Sequence, residues 1–372
     1  LLDRRLSWPY TADAGLCRRS HPRIPRSRLL NLPLPRIPGE DREHILRHTT
    51  SLWRQLAGTR LFITGGTGFY GKWLLEAIAA ANDEFDANVH ASILSRDPGR
   101  FAAEASHLAS RPEFEWLVGE PAEFEVPAGR FDWLIDLATP SAAEVSAGGA
   151  ASIDRGLLGT ARLLDFARVS GVRRILYASS GAVYGRQPPE LDHLPEDFAA
   201  DPATVSPYGR LKQRTERRLL DSGCDCVIAR GFAFIGPYLP LGNKFAAGSF
   251  IRDALNGGPI VIEGGGRTVR SYLYAADLAI WLLTLLMLGK PGRAYNIGND
   301  QALTIRELAQ RITRRGGVAS GIEMRLPPGD GLAERYVPDI RRARDEAGLS
   351  AWIGTDAAID RTLKWHRPSL AH

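Results

Sequence analysis

The alternation of apolar and polar positions in this 372-residue chain becomes regular only after residue 39. Glu40–Leu56 sets charged residues between Ile45, Leu46, Leu52, Trp53 and Leu56, a spacing that predicts an amphipathic helix. The short apolar run Arg60–Thr64 then predicts a strand, and residues 68–81 a helix. Further strands are predicted at Val89–Leu94, Phe114–Val118, Trp133–Leu137, Arg174–Ala178 and Cys226–Ala229, with helices at Ala161–Val169 and Tyr208–Leu220. Strands alternating with helices place the chain in the α/β class, as a doubly wound parallel sheet covered on both faces.

Beyond Gly236 the pattern shortens. Gly236-Pro237, Gly257-Gly258-Pro259 and Gly264-Gly265-Gly266 cut the chain into small pieces. Regular α/β pattern returns at Asp277–Leu288 and Ala294–Ile297. The expected organisation is a basic tail over 1–39, a leading helix over 40–57 and a dinucleotide-binding domain over 58–235 that is rejoined by 275–300. A smaller α/β substrate domain is expected from 236–274 and 301–368. The apolar run Ile280–Leu288 is too short for a bilayer span and reads as a buried helix.

Charge modifies this picture less than the basic pI of about 9.2 suggests. Residues 1–38 hold eight arginines against Asp3 and Asp13, a surplus of six positive charges that exceeds the whole-chain +5 and leaves the remainder at −1. The basicity therefore belongs to the tail, and a nucleic-acid-binding body is not expected. Six prolines in the same stretch break any amphipathic helix, so the tail is read as disordered or non-native rather than as a transit peptide. Cys17, Cys224 and Cys226 form neither a disulfide framework nor a metal-ligand set. A cytoplasmic protein without metal or membrane partner is expected.

The chemistry starts at Thr64–Gly71, where Gly65, Gly68 and Gly71 stand between a predicted strand and a predicted helix. That spacing permits a tight turn, close approach of backbone to a pyrophosphate, and close packing of helix on sheet. The helix N-terminus, beginning with Phe69 and Tyr70, then offers unpaired N–H groups to the anion. A bound NAD or NADP follows. Ser95 and Arg96, after the second strand, favour NADP because a basic residue there accommodates a 2′-phosphate; Asp97 argues for NAD.

Tyr208 and Lys212 are four residues apart on one helix face. A phenol is a poor base near neutral pH, and a nearby cation such as Lys212 favours its ionised form. Ser179 and Ser180 end a strand at the mouth of the expected cofactor crevice, where a serine can hydrogen-bond a reacting hydroxyl and relay its proton to Tyr208.

In these residues the chain resembles the extended short-chain dehydrogenase/reductases that act on nucleotide sugars, the epimerase/dehydratase family. The resemblance runs from about Arg60 to Leu349. It includes Thr64–Gly71, Leu137-Ala138, Gly159-Thr160, Ser179–Gly185, Tyr208–Lys212, Arg230, Gly236-Pro237, Arg270–Tyr274 with Asp277, Tyr295–Gly298, Arg335-Tyr336 and Asp339. It implies a Rossmann-type sheet, a nucleotide-diphosphate sugar as substrate, a homodimer through a helix pair, and a hydride shuttle at a sugar carbon, usually C4. Tyr208 would remove the hydroxyl proton, Ser180 align it, and Lys212 also hold the nicotinamide ribose, with Leu137 and Ala138 beside the cofactor. Ser179, Asn243, Arg270, Tyr295 and Arg335 would lie on the substrate side, Arg270 as a bidentate clamp on the diphosphate.

Departures from the resemblance narrow the reaction. Members that eliminate water or decarboxylate generally place acidic residues just after the catalytic Ser/Thr, where this chain has Gly181 and Ala182. Neither can move a proton, which disfavours 4,6-dehydration and decarboxylation. Ala233 stands where many members have asparagine, and Asp136 where many have histidine. A C4-epimerase is the favoured expectation, a 4-keto-sugar reductase using NADPH the alternative, and a non-catalytic dinucleotide-binding protein the third.

Overall fold

The computed structural model describes residues 34–242, 245–327 and 333–367. Most of the basic tail, and Asn243, lie outside the described residues. The main sheet draws on β1 (Arg60–Thr64), β2 (His90–Ser95), β3 (Phe114–Val118), β4 (Trp133–Asp136), β5 (Arg174–Ser180) and β6 (Cys226–Gly231). It is preceded by α1 (Gly39–Leu56) and interleaved with α2 (Phe69–Phe85), α3 (Pro98–Glu104), α4 (Ser106–Ala109), α5 (Ala142–Val169) and α6 (Pro207–Leu220). A more broken stretch follows, with β7 (Phe234–Ile235), α7 (Ala246–Leu255), β8 (Ile260–Ile262), β9 (Val269–Arg270) and β10 (Leu273–Tyr274). The chain then enters α8 (Ala275–Leu288), β11 (Arg293–Ile297), β12 (Leu303–Thr304) and α9 (Ile305–Gly316). It ends in β13 (Ile322–Met324), β14 (Arg335–Tyr336), α10 (Arg341–Ala347) and α11 (Thr355–His366).

Seven parallel strands run in the order β11-β6-β5-β4-β1-β2-β3. From β1 the chain winds outward to β3, then returns to β4 on the other side of β1 and winds the opposite way. The carboxyl ends of β1 and β4 therefore flank a topological switch point, where such sheets bind ligands. Successive side chains of a strand face opposite sides, and the core divides accordingly. Leu61, Ile63, Ile135 and Leu176 join the cluster under α2 and α8. Phe62, Leu134, Ile175 and Tyr177 join Leu163, Phe166 and Leu219 of α5 and α6.

Helix α8 is apolar on every side because it is covered on every side. Ala275 through Leu286 are all buried, between the sheet and the leading helix α1. Helix α1 is anchored by its own polar start: the buried Asp41 carboxylate accepts from the Tyr274 hydroxyl at 2.5 Å and pairs with Arg361 of α11. Helix α5 begins nineteen residues before the predicted Ala161, with a capping box between Ser141 and Glu144 and a kink at Gly149, whose φ is +55°. Residues 142–156 are mostly alanine, glycine and serine, and so carry no apolar periodicity to reveal the helix. Among the described residues no helix is long and apolar enough to cross a membrane.

The smaller sheets, β12-β9-β14 and β13-β8, stand with α7 and α9 beyond the carboxyl end of the main sheet's crevice. Register across β9 and β14 sets Tyr336 beside Arg270, which brings the last third of the chain to the site.

Candidate active site

The switch-point crevice opens into a cavity of about 840 Å³ lined by Gly65, Gly68, Phe69, Tyr70, Ser180, Tyr208, Lys212, Arg270 and Tyr336 among others. At its floor the turn after β1 is shaped by glycine. Gly65 has a φ of +68°, and a Cβ there would come within 2.9 Å of the Leu137 carbonyl carbon. A Cβ on Gly71 would lie 2.3 Å from Gly66 Cα, so the first turn of α2 packs on the strand end with no room for a side chain. Gly68 caps α2 without a side-chain bond, and the first turn of that helix holds no acidic residue. The exposed N–H groups and positive helix end are therefore left for an anion, and the residues present fit a dinucleotide pyrophosphate. Thr64 and Asp136 tie the ends of β1 and β4 together: Thr64 Oγ1 donates to Asp136 Oδ1 at 2.6 Å and accepts from the Ala138 N–H at 3.1 Å.

Ser180 ends β5, and Tyr208 and Lys212 come from the first turns of α6. Ser206 caps that helix by accepting from the Gly209 N–H, with Pro207 at its first position. Gly209 is required there, since a Cβ would lie 2.3 Å from the Ala182 carbonyl oxygen. Lys212 is buried. Its Nζ donates to Ala178 O at 2.6 Å and Thr139 Oγ1 at 2.9 Å, and sits 4.6 Å from the centre of the Tyr177 ring. Burial lowers its pKa to about 8, against the opposing pull of Asp136 and Glu216. Tyr208 is pushed upward by burial, and the group that draws it back down is Ser180. Lys212 is the cation expected beside Tyr208, and it stands over that ring as well as against its own hydrogen-bond partners. Its ammonium is drawn to the Ala178 carbonyl and Thr139, 5.8 Å from the centre of the Tyr208 ring.

Behind this face lies a buried polar network that sequence reading did not find. Glu216 of α6 accepts from Ser179 Oγ and from Arg230 Nη2, the latter at 2.7 Å. Arg230 Nη1 donates onward to the Tyr184 hydroxyl at 2.9 Å and to Glu196 O at 2.8 Å. The Tyr184 hydroxyl donates to Asn296 Oδ1 at 2.6 Å, and Asn296 donates to Leu194 O and Asp339 O. The network ties β5, β6, β11 and α6 together behind Ser180, Tyr208 and Lys212.

Several predicted site residues are placed elsewhere by strand alternation. Ser179 and Ser180 both line the cavity, but the Ser179 hydroxyl is committed to Glu216. Tyr295 of β11 points away, donating to Glu346 at 2.7 Å and accepting from the Lys290 N–H. Arg335 turns to Asp192, and its neighbour Tyr336 lines the cavity instead. Arg270 lines the cavity with its guanidinium 5.5 Å from the Tyr336 ring centre and 3.2 Å from Glu334 Oε1. Gly71 and Ala138 support the floor from outside the lining, while Leu137 is part of it. Ser95 is buried and accepts from the Asp97 N–H; Arg96 is exposed, 3.4 Å from Glu144 Oε1 at the start of α5. Tyr336 and Phe232 are the lining residues most clearly missed. Period-two alternation in Arg335-Tyr336 was the signal that could have exchanged one for the other.

A family model described as "NAD dependent epimerase/dehydratase family" matches residues 61–298. The chain belongs to that family. Members with curated functions include UDP-glucuronic acid decarboxylase 1 of Danio rerio, 27% identical over 324 residues, covering 84% of this chain and 74% of that protein. The dTDP-glucose 4,6-dehydratase of Streptomyces niveus is 25% identical over 333 residues, covering 84% and 94%. Among solved structures, the UDP-glucose 4-epimerase of Thermotoga maritima, determined with UDP-glucose, shares the fold with a TM-score of 0.71 at 20% identity, covering 84% of this chain and 99% of that one. The chain is thus an α/β protein of an NAD-dependent family whose members act on nucleotide sugars.

Proposed function

We propose that this chain is a nucleotide-sugar oxidoreductase that works through a 4-keto intermediate and returns the hydride to the opposite face, inverting C4. The observation that carries this reading is the wall of the cavity beside Ser180. A Cβ at position 181 would lie 2.5 Å from Tyr336 Oη and 2.8 Å from Phe232 Cζ. With glycine at 181, and Tyr336 and Phe232 filling the space a side chain would need, no acid stands next to Ser180 to drive elimination or decarboxylation. Glu263, after β8, is the one carboxylate among the described lining residues.

A bound nicotinamide supplies a reversible hydride acceptor. The chain's own groups manage the proton. Tyr208 Oη takes it from the sugar C4 hydroxyl as the C4–H bond gives up its hydride, so that the C–O bond becomes a carbonyl. Ser180 holds that oxygen during the step, and the same Tyr208 returns the proton once hydride has come back to the other face. Arg270 gives the substrate diphosphate a guanidinium fork. A cytoplasmic homodimer is part of the same proposal.

The test incubates the purified protein with UDP-glucose, UDP-galactose, their dTDP counterparts and UDP-glucuronate, each without added cofactor, and follows the sugar by NMR. C4-inverted product is expected. Loss of carbon dioxide from UDP-glucuronate, or formation of a 4-keto-6-deoxy sugar, would replace this reading and direct attention to Glu263.

The exposed Arg96 at the end of β2 favours a second reading, in which NADPH reduces an incoming 4-keto sugar. Under it, Arg96→Ala is expected to weaken NADPH binding by about tenfold, the contribution of one charge-assisted bond, while leaving NADH unchanged. Equal effects on both dinucleotides, measured by quenching of protein fluorescence, would remove Arg96 from cofactor choice.

A further inference from the structure

We propose that Tyr238 is a positioning residue for the substrate wall of the cavity: its hydroxyl ties the loop carrying Leu239 and Pro240 to Glu76 of α2 and to the segment just ahead of α1. This rests on the reading of the cavity as a nucleotide-sugar site and adds to it a support from outside the family match, which begins at residue 61.

The chain turns sharply as it leaves β7. The Leu239 N–H donates to Gly236 O at 3.2 Å, with Pro237 and Tyr238 at the two central positions. That is the arrangement of a type II turn, whose second central residue takes a positive φ and is usually glycine. Here it is a tyrosine, with φ of +68°. A side chain holds that conformation only where its surroundings over-determine it, and such positions cluster at ligand-binding segments. Leu239 and Pro240, the next two residues, line the cavity.

The surroundings of Tyr238 supply that constraint. Its hydroxyl donates to Glu76 Oε1 at 2.5 Å and lies 3.1 Å from Pro35 O. The same carboxylate oxygen accepts from the Ile37 N–H at 3.4 Å and stands 2.8 Å from His107 Nε2. The buried ring meets Trp365 and Trp73 edge to face, with centres 5.0 and 6.2 Å away. Those two indoles fasten the segments on either side: Trp73 Nε1 donates to Pro237 O at 2.9 Å, and Trp365 Nε1 to Arg36 O at 3.0 Å. Burial, with the Glu76 carboxylate behind it, pushes the phenol upward and keeps it a donor. On the other side of the loop a Cβ at Gly248 would lie 2.2 Å from Pro240 O, so α7 closes directly on the backbone of the wall that Tyr238 anchors.

Tyr238→Phe keeps the ring between the indoles and removes the hydroxyl, whereas Tyr238→Gly suits the turn and removes the tether altogether. Glu76→Gln keeps the Oε1 acceptor. The measurements are kcat and KM for interconversion of UDP-glucose and UDP-galactose, NAD+ affinity, and amide hydrogen exchange over residues 237–242 followed by mass spectrometry. Both Tyr238 variants are expected to raise KM by about tenfold, the low end for one hydrogen bond to a charged group, with kcat and NAD+ affinity within about twofold. Exchange over 237–242 should quicken in the same two variants, and Glu76→Gln should match wild type in every measurement. A Tyr238→Gly variant with wild-type KM would show that the turn alone shapes the wall, and overturns the tether. So does a KM rise with equal losses in kcat and NAD+ affinity, which marks a general loosening of the structure. If the wild-type protein interconverts neither sugar, the proposed reaction fails, and exchange decides the tether by itself: unchanged exchange in both Tyr238 variants overturns it.

Discussion

Tyr208→Phe is expected to lower turnover by about a hundredfold to ten-thousandfold, the usual worth of a positioned acid–base group, while dinucleotide affinity stays within about twofold. Under the proposed reading the two effects separate, because the groups assigned to the cofactor and the hydroxyl assigned to proton transfer are different atoms. The glycine turn, the free end of α2 and the Lys212 ammonium are untouched by removal of one hydroxyl. Tyr208 itself is half-buried, and the side chain pulling its pKa down is Ser180. Steady-state assays with titration of NADH fluorescence check both halves. A variant that binds NADH normally and turns over normally would show that another group is the base. A variant that loses NADH binding would place Tyr208 in the cofactor contact rather than in proton transfer.

The second large effect concerns stability. Arg230→Met should cost about 3–5 kcal/mol, the penalty for leaving a buried charge without its partner. The Glu216 side chain is 6% exposed and that of Arg230 15%, so water cannot replace the lost guanidinium. Ser179 would then be the remaining donor to Glu216, while the Tyr184 hydroxyl and Glu196 carbonyl would each lose a partner. Combining Arg230→Met with Glu216→Leu should recover much of the loss, because a well-packed apolar pair can substitute for a buried ion pair. Urea denaturation of the three variants measures this. A cost for Arg230→Met below about 1 kcal/mol, as for a surface pair, would mean that the site rests on something other than this network.

The two effects also differ in what revealed them. Tyr208 and Lys212 could be picked out as a pair from spacing, since positions four apart share a helix face. Arg230 was legible only as a motif residue, and nothing near it in the chain indicates that its partners come from positions 184, 196 and 216.

Local pattern was enough wherever the chemistry depends on neighbours in the chain. The apolar run Arg60–Thr64 is β1 residue for residue, and Phe114–Val118 is β3. The Gly65–Gly71 cradle was legible because a turn, a helix end and their glycines are contiguous. The alternation of strands and helices implied the parallel sheet because such strands require crossovers. Helix α5 escaped over 142–156, where small residues carry no periodicity, and the Gly149 kink interrupts it further.

What only the tertiary structure decided is which face of each strand meets the cavity. Ser179 and Ser180 are equivalent as letters and both line the cavity, yet the hydroxyl of one is spent on Glu216 while that of the other accepts from the Ala182 N–H. The same alternation exchanged Arg335 for Tyr336 and turned Tyr295 toward Glu346. A strand's register is set by pairing with segments far away in sequence, here β14 against β9 and β11 against β6. By itself the chain's sequence determined the cofactor cradle, the Ser180, Tyr208 and Lys212 set, and the absence of acids at 181 and 182. That Tyr336 and Phe232 close the space beside Gly181 depends on contacts spanning 155 and 51 residues, which no local pattern encodes.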